Sequence, residues 1–256
     1  MQWHFMVSPP AAGAANMALD EALMRRAART GDAVFRVYSW SAPTLSLGRN
    51  QRARDCYDLE RAGEAGVDFV RRPTGGRALL HHREITYSAT LPAADAAAAR
   101  AAYGFINGIL IAGLARLGVP ARLTAEAQAI PPGLRPCFDV PAEHEIVLGE
   151  RKLVGSAQWR RGGALLQHGS ILVRDDQPLI QQLLAAPQPS GAGSAATLHQ
   201  ALGRDPSVDE MADALRPALR ESARHEPRLL PPDAALEADL AALRASYGAD
   251  AWTWRR

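Results

Sequence analysis

The sequence is nearly devoid of lysine. Its 29 basic side chains comprise 28 arginines and a single lysine, Lys152. Arginine and lysine are interchangeable on a solvated surface, but they differ where a compact ammonium must touch one atom or where the group must lose its proton. Either a biased composition left this residue by chance, or the chemistry of the protein requires lysine at this position.

An excess of charge of either sign is also lacking. The formal net charge of the 256 residues is +2, and the arginines are interspersed with 27 acidic residues. A protein that binds nucleic acid usually carries a basic patch or arm. The charge pattern therefore predicts no nucleic-acid partner.

Cysteine and long apolar runs are scarce as well. The two cysteines, Cys56 and Cys137, do not form a disulfide framework and fit a reducing compartment, so we expect a cytoplasmic location. The first 16 residues lack the basic segment and apolar run of a signal peptide. The longest apolar stretch, around Phe105 to Leu117, is interrupted by glycine and is short for a membrane span, so no membrane partner is expected.

Hydrophobic periodicity predicts helices that interleave with strands. The predicted helices are Asn16–Arg29 with Asn16 as N-cap, Leu59–Gly66, Ala94–Leu117, Leu179–Ala185, Val208–Arg224 and Pro232–Ser246. The predicted strands are Val34–Trp40, Thr44–Gly48, Val67–Arg72, Leu79–Leu91 and a three-stranded meander between Glu145 and Val173, with loops at Ala129–Pro136 and Pro187–Ser194. This pattern predicts a mixed β-sheet flanked by helices in one α/β or α+β domain over residues 1–256, with a helical C-terminal part from about residue 205.

Two segments carry residues suited to chemistry. In Arg71–Arg77 two glycines follow a strand, which lets backbone N–H groups approach an anion or a carbonyl oxygen. Cys137 follows Pro136 in a proline-rich loop, where a thiolate beside a cation can act as a nucleophile, although a small buried side chain is the alternative. The histidines lack the spacing of a metal site, and we expect neither a metal nor a cofactor.

Four segments together resemble the lipoate–protein ligase A-like acyltransferases of the biotin/lipoate ligase superfamily. The resemblance runs from about Asn16 to about Asp176 and weakens towards Leu219. It rests on Asn16–Ala22, Trp40–Gln51, Arg71–His81 continuing to Ser88, and Lys152–Gln158 followed by Gln167–Ser170. It implies the catalytic-domain fold of that superfamily, and it implies substrate contacts from Arg72, Gly75, Gly76, Arg77, His81, Gly155, Ser156, Ala157 and His168.

The superfamily contains two chemistries. Lipoate ligases activate a free acid with ATP, whereas octanoyltransferases take octanoate from a thioester on acyl carrier protein and pass it through an enzyme cysteine to a lysine of a carrier domain. Arg77 stands where ligases tend to have a third glycine, and Cys137-Phe138 matches the position of the transferase nucleophile. The resemblance therefore favours an octanoyltransferase. The alternatives are an ATP-dependent lipoate or biotin ligase and a non-catalytic protein that binds acyl groups or carrier domains.

The resemblance also implies the roles of two catalytic residues and the identity of two partners. Cys137 would be the nucleophile, and Lys152 would stabilise its thiolate and the oxyanion, or accept a proton from the incoming amine if burial favours its neutral form. An apolar pocket lined by residues such as Leu79, Leu80 and Val154 would hold the acyl chain. The partners would be octanoyl-acyl carrier protein and an apo lipoyl domain, either glycine cleavage H protein or the E2 subunit of a 2-oxoacid dehydrogenase.

Overall fold

The computed structural model describes residues 1–124, 145–186 and 194–256. The strands are β1 (Trp3–Val7), β2 (Ala33–Tyr38), β3 (Thr44–Leu47), β4 (Asp68–Arg71), β5 (Leu79–His81), β6 (Glu84–Pro92), β7 (Arg122–Leu123), β8 (Ile146–Leu148), β9 (Arg151–Arg161) and β10 (Ala164–Leu172). The helices are α1 (Gly13–Thr30), α2 (Leu59–Glu64), α3 (Ala96–Arg116), α4 (Leu179–Gln182), α5 (Leu198–Leu202), α6 (Val208–Ala223), α7 (Ala234–Tyr247) and α8 (Asp250–Thr253).

Within the described residues the strands form two sheets. The large sheet has the order β1-β2-β6-β10-β9-β8-β7, and only its β1–β2 pair is parallel. The small sheet has the order β4-β3-β5, with β3 parallel to β4 and antiparallel to β5. The mixed sheet flanked by helices that the sequence predicted is therefore confirmed, with a second, smaller sheet beside it.

The two faces of the large sheet bury different side chains. Because successive residues of a strand point to opposite faces, Phe35 and Tyr87 pack with α3 and α6 in the main hydrophobic core. Val34 and Tyr38 pack instead with α1 and α7. The α1 face of β6 and β10 is polar although it is buried, and its residues are Glu84, Thr86, Ser88, Thr90, His168 and Ser170.

The small sheet has its own hydrophobic cluster. Leu45 and Leu80 pack with side chains of α2, α4 and the segment around α8, among them Ala62 and Ile180. This packing leaves the opposite face of the small sheet, which carries Ser46 and His81, turned towards the polar face of the large sheet, where His81 lies 3.3 Å from Glu84. The two sheets thereby enclose the candidate site.

The predicted strand Leu79–Leu91 is in fact two strands. β5 belongs to the small sheet and β6 to the large one, and the chain crosses between them at His82 and Arg83. Arg83 anchors the crossing, because its backbone N–H and its side chain both donate to Asp176. The run of four polar residues His81-His82-Arg83-Glu84 at this crossing was the available local signal.

Other local predictions differ from the structure at element ends. α1 begins at Gly13 after Ala12, and Asn16 is buried inside it, where its amide donates to the carbonyls of Ala11 and Ser39. β1, β7, α5 and α8 were not predicted. The predicted loops Ala129–Pro136 and Pro187–Ser194 lie outside the described residues, apart from Ser194.

Helix α3 is long and apolar enough, by length and composition, to cross a membrane. This is weak evidence, since a helix in a protein core passes the same test. Ile106, Leu110 and Leu114 on its inner face are fully buried against the sheet and α6. The apolar stretch identified in the sequence is thus shorter than the helix that contains it. The expectation of no membrane partner stays a prediction.

Candidate active site

A cleft opens between the two sheets, and the empty space in it, including its solvent-open mouth, is about 470 Å³. Residues from α1, both sheets and the loop before β5 line it. They are Met17, Tyr38, Trp40, Arg72, Gly76, Leu79, His81, Thr86, Gly155, Ser156, Ala157, His168 and Gly169. Met17, Trp40 and Leu79 give the cleft apolar walls, while its floor is the polar face of β6 and β10.

Glu84 is the centre of one half of this floor. Its carboxylate is buried and accepts hydrogen bonds from the hydroxyls of Thr86 and Ser170. His81 lies 3.3 Å from the same carboxylate through Nδ1, and it stacks on Trp40 with ring centroids 3.9 Å apart. Burial lowers the pKa of His81, more than the nearby Glu84 raises it, so the imidazole is neutral at pH 7. The stacked pair forms a rigid apolar wall that is anchored to the polar floor.

Asp20 is the centre of the other half. Its fully buried carboxylate lies 2.8 Å from Arg36 Nη1 and accepts hydrogen bonds from Tyr38 at 2.9 Å and Ser88 at 2.8 Å. Burial alone would raise the pKa of Asp20, but a hydrogen bond from His168 and the charge of Arg36 outweigh it and hold that pKa below 3.8. Asp20 is therefore ionised throughout the physiological range.

A hydrogen-bonded chain leads from Asp20 to the glycine loop. An ionised carboxylate only accepts hydrogen bonds, so Nδ1 of His168, 3.1 Å from Asp20, carries the proton. The other ring nitrogen of His168, Nε2, lies 2.7 Å from the hydroxyl oxygen of Thr74. This order of groups also activates hydroxyl nucleophiles in hydrolases. Thr74, however, is fully buried and does not line the cleft, so the chain positions the loop that carries Gly75 and Gly76.

Arg72 holds the same loop from the other side. Its guanidinium donates to the carbonyls of Ser46 at 2.9 Å, Gly75 at 2.9 Å and Arg77 at 2.7 Å. Gly76 has a φ of 102°, a conformation that favours glycine. Gly48 packs so closely that a Cβ there would lie 1.9 Å from the carbonyl oxygen of Gly76. The loop is thus fixed by contacts that tolerate no added side chain at Gly48.

Lys152 is buried at the start of β9. It is 3% exposed, and its Nζ donates to Oε1 of Glu145 at 2.6 Å. Glu145 is the first described residue after the segment that contains Cys137, and Lys152 lies three residues before Gly155 of the cleft. A lysine left by chance on a solvated surface does not fit this environment. Cys137 lies outside the described residues, so its nucleophilic role and its proximity to Lys152 stay predictions.

The structure brings together most of the residues that the resemblance implied. Arg72, Gly76, His81, Gly155, Ser156, Ala157 and His168 all line the cleft. Gly75 and Arg77 flank Gly76 and meet Arg72 through their carbonyls. Of the expected apolar wall only Leu79 lines the cleft, since Leu80 packs in the cluster of the small sheet and Val154 in the main core. Those two expectations were wrong because alternation along the strands points both side chains away.

Sequence reasoning missed several residues of the floor, notably Asp20, Thr74 and Glu84. Polar residues at alternate positions of a strand, such as Glu84, Thr86 and Ser88, are typical of a solvent-facing surface. Asp20 lies in the first helix among apolar residues, and its charge at a position facing the sheet was the available signal. Across the three described ranges, no group of three or more His, Cys, Asp or Glu side chains is placed to hold a metal ion.

Comparisons with known proteins agree along the whole chain. Residues 12–220 match the lipoyl protein ligase A/B catalytic domain. Octanoyltransferase LipM of Symbiobacterium thermophilum is 36% identical, over 99% of this chain and 98% of its own length. Octanoyltransferase LipM of Brevibacillus brevis is 33% identical, over 100% of this chain and 99% of its own.

Among solved structures, protein Ta0514 of T. acidophilum, a putative lipoate protein ligase with bound lipoic acid, aligns with a TM-score of 0.80 over 99% of this chain and 100% of its own, at 23% identity. At that identity the likeness concerns the fold. The full-length relatives and the domain match together show that this chain belongs to the lipoyl protein ligase A/B catalytic domain family and, within it, to the octanoyltransferases, which are acyltransferases.

Proposed function

We propose that this octanoyltransferase of lipoate biosynthesis takes its octanoyl group from acyl carrier protein and passes it through Cys137 to the lysine of an apo lipoyl domain, on glycine cleavage H protein or a 2-oxoacid dehydrogenase E2 subunit. The observation that carries the proposal is the cleft with apolar walls between the glycine loop and β9, the strand that contains Lys152. The two cysteines without a disulfide framework support a cytoplasmic location.

The chemistry proceeds in two acyl transfers. The Cys137 thiolate attacks the thioester carbonyl, a new carbon–sulfur bond forms, the bond to the carrier sulfur breaks, and the carrier leaves as a thiolate that takes a proton from solvent. The acceptor lysine, as a neutral amine, then attacks the enzyme thioester, an amide forms, and the Cys137 thiolate is released as the amine loses a proton. A thioester is already activated, so neither step consumes ATP.

Two described features support this reaction. The walls formed by Met17, Trp40 and Leu79 suit an alkyl chain, and burial of about seven methylene groups at ~0.8 kcal/mol each gives on the order of 5 kcal/mol before the costs of binding. Lys152 forms a buried ion pair with Glu145, which follows in sequence the segment that holds Cys137. A positive charge stabilises a nearby thiolate and a developing oxyanion.

Mass spectrometry of the intact protein tests the covalent step. Incubated with octanoyl-acyl carrier protein in ATP-free buffer with EDTA, the enzyme should gain one octanoyl mass that hydroxylamine removes. Cys137→Ala should abolish the adduct and the transfer, whereas the matched control Cys56→Ala should retain both. An adduct on Cys56, or one that persists in Cys137→Ala, would overturn the assignment.

The same assay separates the alternatives. A lipoate ligase would turn over only with ATP, Mg²⁺ and a free acid. A non-catalytic binding protein would form no adduct and would bind carrier domains equally well after Cys137→Ala.

A conservative substitution tests Lys152. Lys152→Arg keeps the charge, but the guanidinium is wider and cannot release its proton. Transfer should fall at least ~100-fold, the low end of general acid–base contributions. A variant that keeps more than about half of the wild-type rate would show that this lysine has no catalytic role.

A further inference from the structure

Arginine and tryptophan side chains cluster at one end of the cleft. We define the arginine–tryptophan patch as Arg49, Trp159, Arg161, Trp252 and Arg255. The Arg49 guanidinium lies 5.0 Å from the ring centre of Trp159 and 5.7 Å from that of Trp252. Arg161 lies 5.9 Å from Trp159, and Arg255 lies 4.1 Å from Trp252. The patch is thus one continuous surface built from β9, the loop after β3, α8 and the segment after α8.

The patch borders the cleft directly. The backbone N–H of Arg49 donates to the carbonyl of Thr74 at 2.8 Å, in the loop whose Gly76 lines the cleft. Trp159 lies two residues beyond Ala157 on β9, so their side chains share one face of the strand, about 7 Å apart. A protein seated on the patch would therefore have its reactive arm at the mouth of the cleft.

The positive charge of the patch is not neutralised within the described parts of the chain. Arg49, Arg161 and Arg255 form no ion pair there; their charges face indole rings. Burial and then the neighbouring charges of Arg49 and Arg256 lower the pKa of Arg255. The Nε of Arg255 is also buried without a hydrogen-bond acceptor. Like charges this close repel one another, so an anionic surface placed over them would be attracted.

The residue types indicate a protein rather than a small anion. Tryptophan and arginine are enriched among the residues that dominate binding at protein interfaces, whereas a free phosphate gains nothing from half-buried indoles. The charge further distinguishes the two protein substrates. The acceptor must bring a lysine amine, an ammonium in solution, to the cleft, and the guanidinium groups at its mouth oppose that charge. The thioester of the donor is neutral.

We propose that the arginine–tryptophan patch is the docking surface for an acidic face of the protein that carries the acyl thioester. This inference rests on the proposed function, because it assigns the patch to the donor of that reaction. Docking there steers the donor electrostatically and places its thioester at the cleft.

Charge reversal with two donors tests the patch. Arg161→Glu and Arg49→Glu/Arg161→Glu are compared with Arg100→Glu, which reverses an exposed arginine on α3, on the other side of the large sheet. For octanoyl-acyl carrier protein kcat/KM should fall about tenfold or more in the patch variants and should lose most of its salt dependence. For octanoyl-pantetheine, which has no protein surface, kcat/KM should be unchanged, as should the KM of the lipoyl domain. Arg100→Glu should match wild type with both donors.

Three results would overturn the inference. An equal loss with both donors would mean that the patch acts in chemistry or in folding. If the patch variants kept the wild-type kcat/KM for octanoyl-acyl carrier protein, the donor would not dock on this surface. If they raised the KM for the lipoyl domain instead, the patch would bind the acceptor. If wild type transfers from neither donor, the proposed function fails. Direct titration of unacylated acyl carrier protein with wild type and Arg161→Glu then still decides whether the patch binds it.

Discussion

Side chains on the two faces of the large sheet are buried to a similar extent, but apolar packing holds one set and hydrogen bonds hold the other. On the α3 and α6 face, aromatic and aliphatic side chains such as Phe35 and Leu110 are packed at full burial. On the α1 face, Glu84 and His168 are buried within hydrogen-bonded networks. Because β6 alternates between the faces, a single strand contributes to both. Successive residues of the same strands therefore carry the stability of this fold and the geometry of its site.

The apolar face of the large sheet also carries a few hydrogen-bonded polar side chains. On the apolar face Gln167 donates to Tyr87 at 2.9 Å and to Asn107 at 3.3 Å. Tyr87 in turn lies 2.7 Å from the hydroxyl of Ser156, which lines the cleft. Polar groups therefore enter the hydrophobic core where it supports the site.

Energetics differ between the faces in a testable way. Full burial of a large apolar side chain stabilises by about 1.5–3 kcal/mol. A buried charge pair adds little net stability, yet the loss of one partner leaves an uncompensated charge. A single substitution of a charged residue on the polar face should therefore cost more stability than one on the apolar face. Substitutions on the apolar face should in turn change the transfer rate less.

The largest effect is expected at Asp20. Asp20→Ala leaves the buried Arg36 guanidinium without its carboxylate, so the free energy of unfolding should fall by about 3–5 kcal/mol in urea denaturation. The double variant Asp20→Leu/Arg36→Met, which removes both charges, should recover most of that loss. A single variant that loses less than about 1 kcal/mol would show that the pair is not a stability element.

The next effect lies on the apolar face. Leu110 is fully buried between α3 and the sheet, so Leu110→Ala should lower the free energy of unfolding by about 2–5 kcal/mol. The transfer rate measured well below the thermal midpoint should stay close to wild type. Leu229→Ala, at a side chain that is 78% exposed, is the matched control and should change neither quantity. A large loss of transfer rate in folded Leu110→Ala would show that the apolar face also sets the geometry of the site.

A smaller loss of stability with a larger loss of rate is expected at His168. His168→Gln disturbs the bonds to Asp20 and Thr74 and should lower the free energy of unfolding by about 1–3 kcal/mol. Because the glycine loop would shift, kcat should fall about 100-fold with little change in KM for the donor. Thr74→Ser keeps the hydroxyl and should retain most of the rate. Equal rates in wild type and His168→Gln would mean that the hydrogen-bonded chain positions nothing.

The smallest expected effect is the loss of stability at acidic pH that His81 causes. Burial lowers the pKa of His81 below its ordinary 6.5, so the unfolded chain binds a proton that the folded chain refuses. The stability from the neutral imidazole is full above about pH 6.5 and is lost as the pH falls through the lowered value, by at most about 1.4 kcal/mol per pH unit. Urea denaturation at pH 7 and pH 5.5 should show this decline, and His81→Gln should make it shallower. An unchanged slope would assign the acid response to other groups.

The fold was largely predictable because most elements are marked by local patterns. The periodicity of Val208–Arg224 and the turn at Arg161-Gly162-Gly163 correspond closely to α6 and to the hairpin of β9 and β10. Asn16 was mistaken for a helix cap because the same amide that caps a helix end also suits a buried bridge between backbone carbonyls. That choice depends on Ala11 and Ser39, which only the tertiary structure brings near.

The cleft was predictable for a different reason and to a different extent. Gly76, His81 and His168 lie in motifs that resemble a known family, so their presence in the cleft followed from the resemblance. The carboxylates that hold them, Asp20 and Glu84, belong to no spacing rule, because their partners are distant in the sequence. Local sequence patterns therefore identify residues that line a cleft more readily than they identify the residues that hold those lining residues in place.

The burial of Lys152 has a consequence for an enzyme whose proposed product is an acylated lysine. Such a catalyst keeps an activated acyl group close to its own surface, and every accessible ε-amine there would compete with the intended acceptor. This chain has one ε-amine, which is 3% exposed and ion-paired with Glu145, while 28 arginines supply the remaining basic charge without a nucleophilic nitrogen at neutral pH. The protein therefore offers no exposed lysine of its own to acylate, and one enzyme molecule cannot inactivate another by labelling its surface lysines.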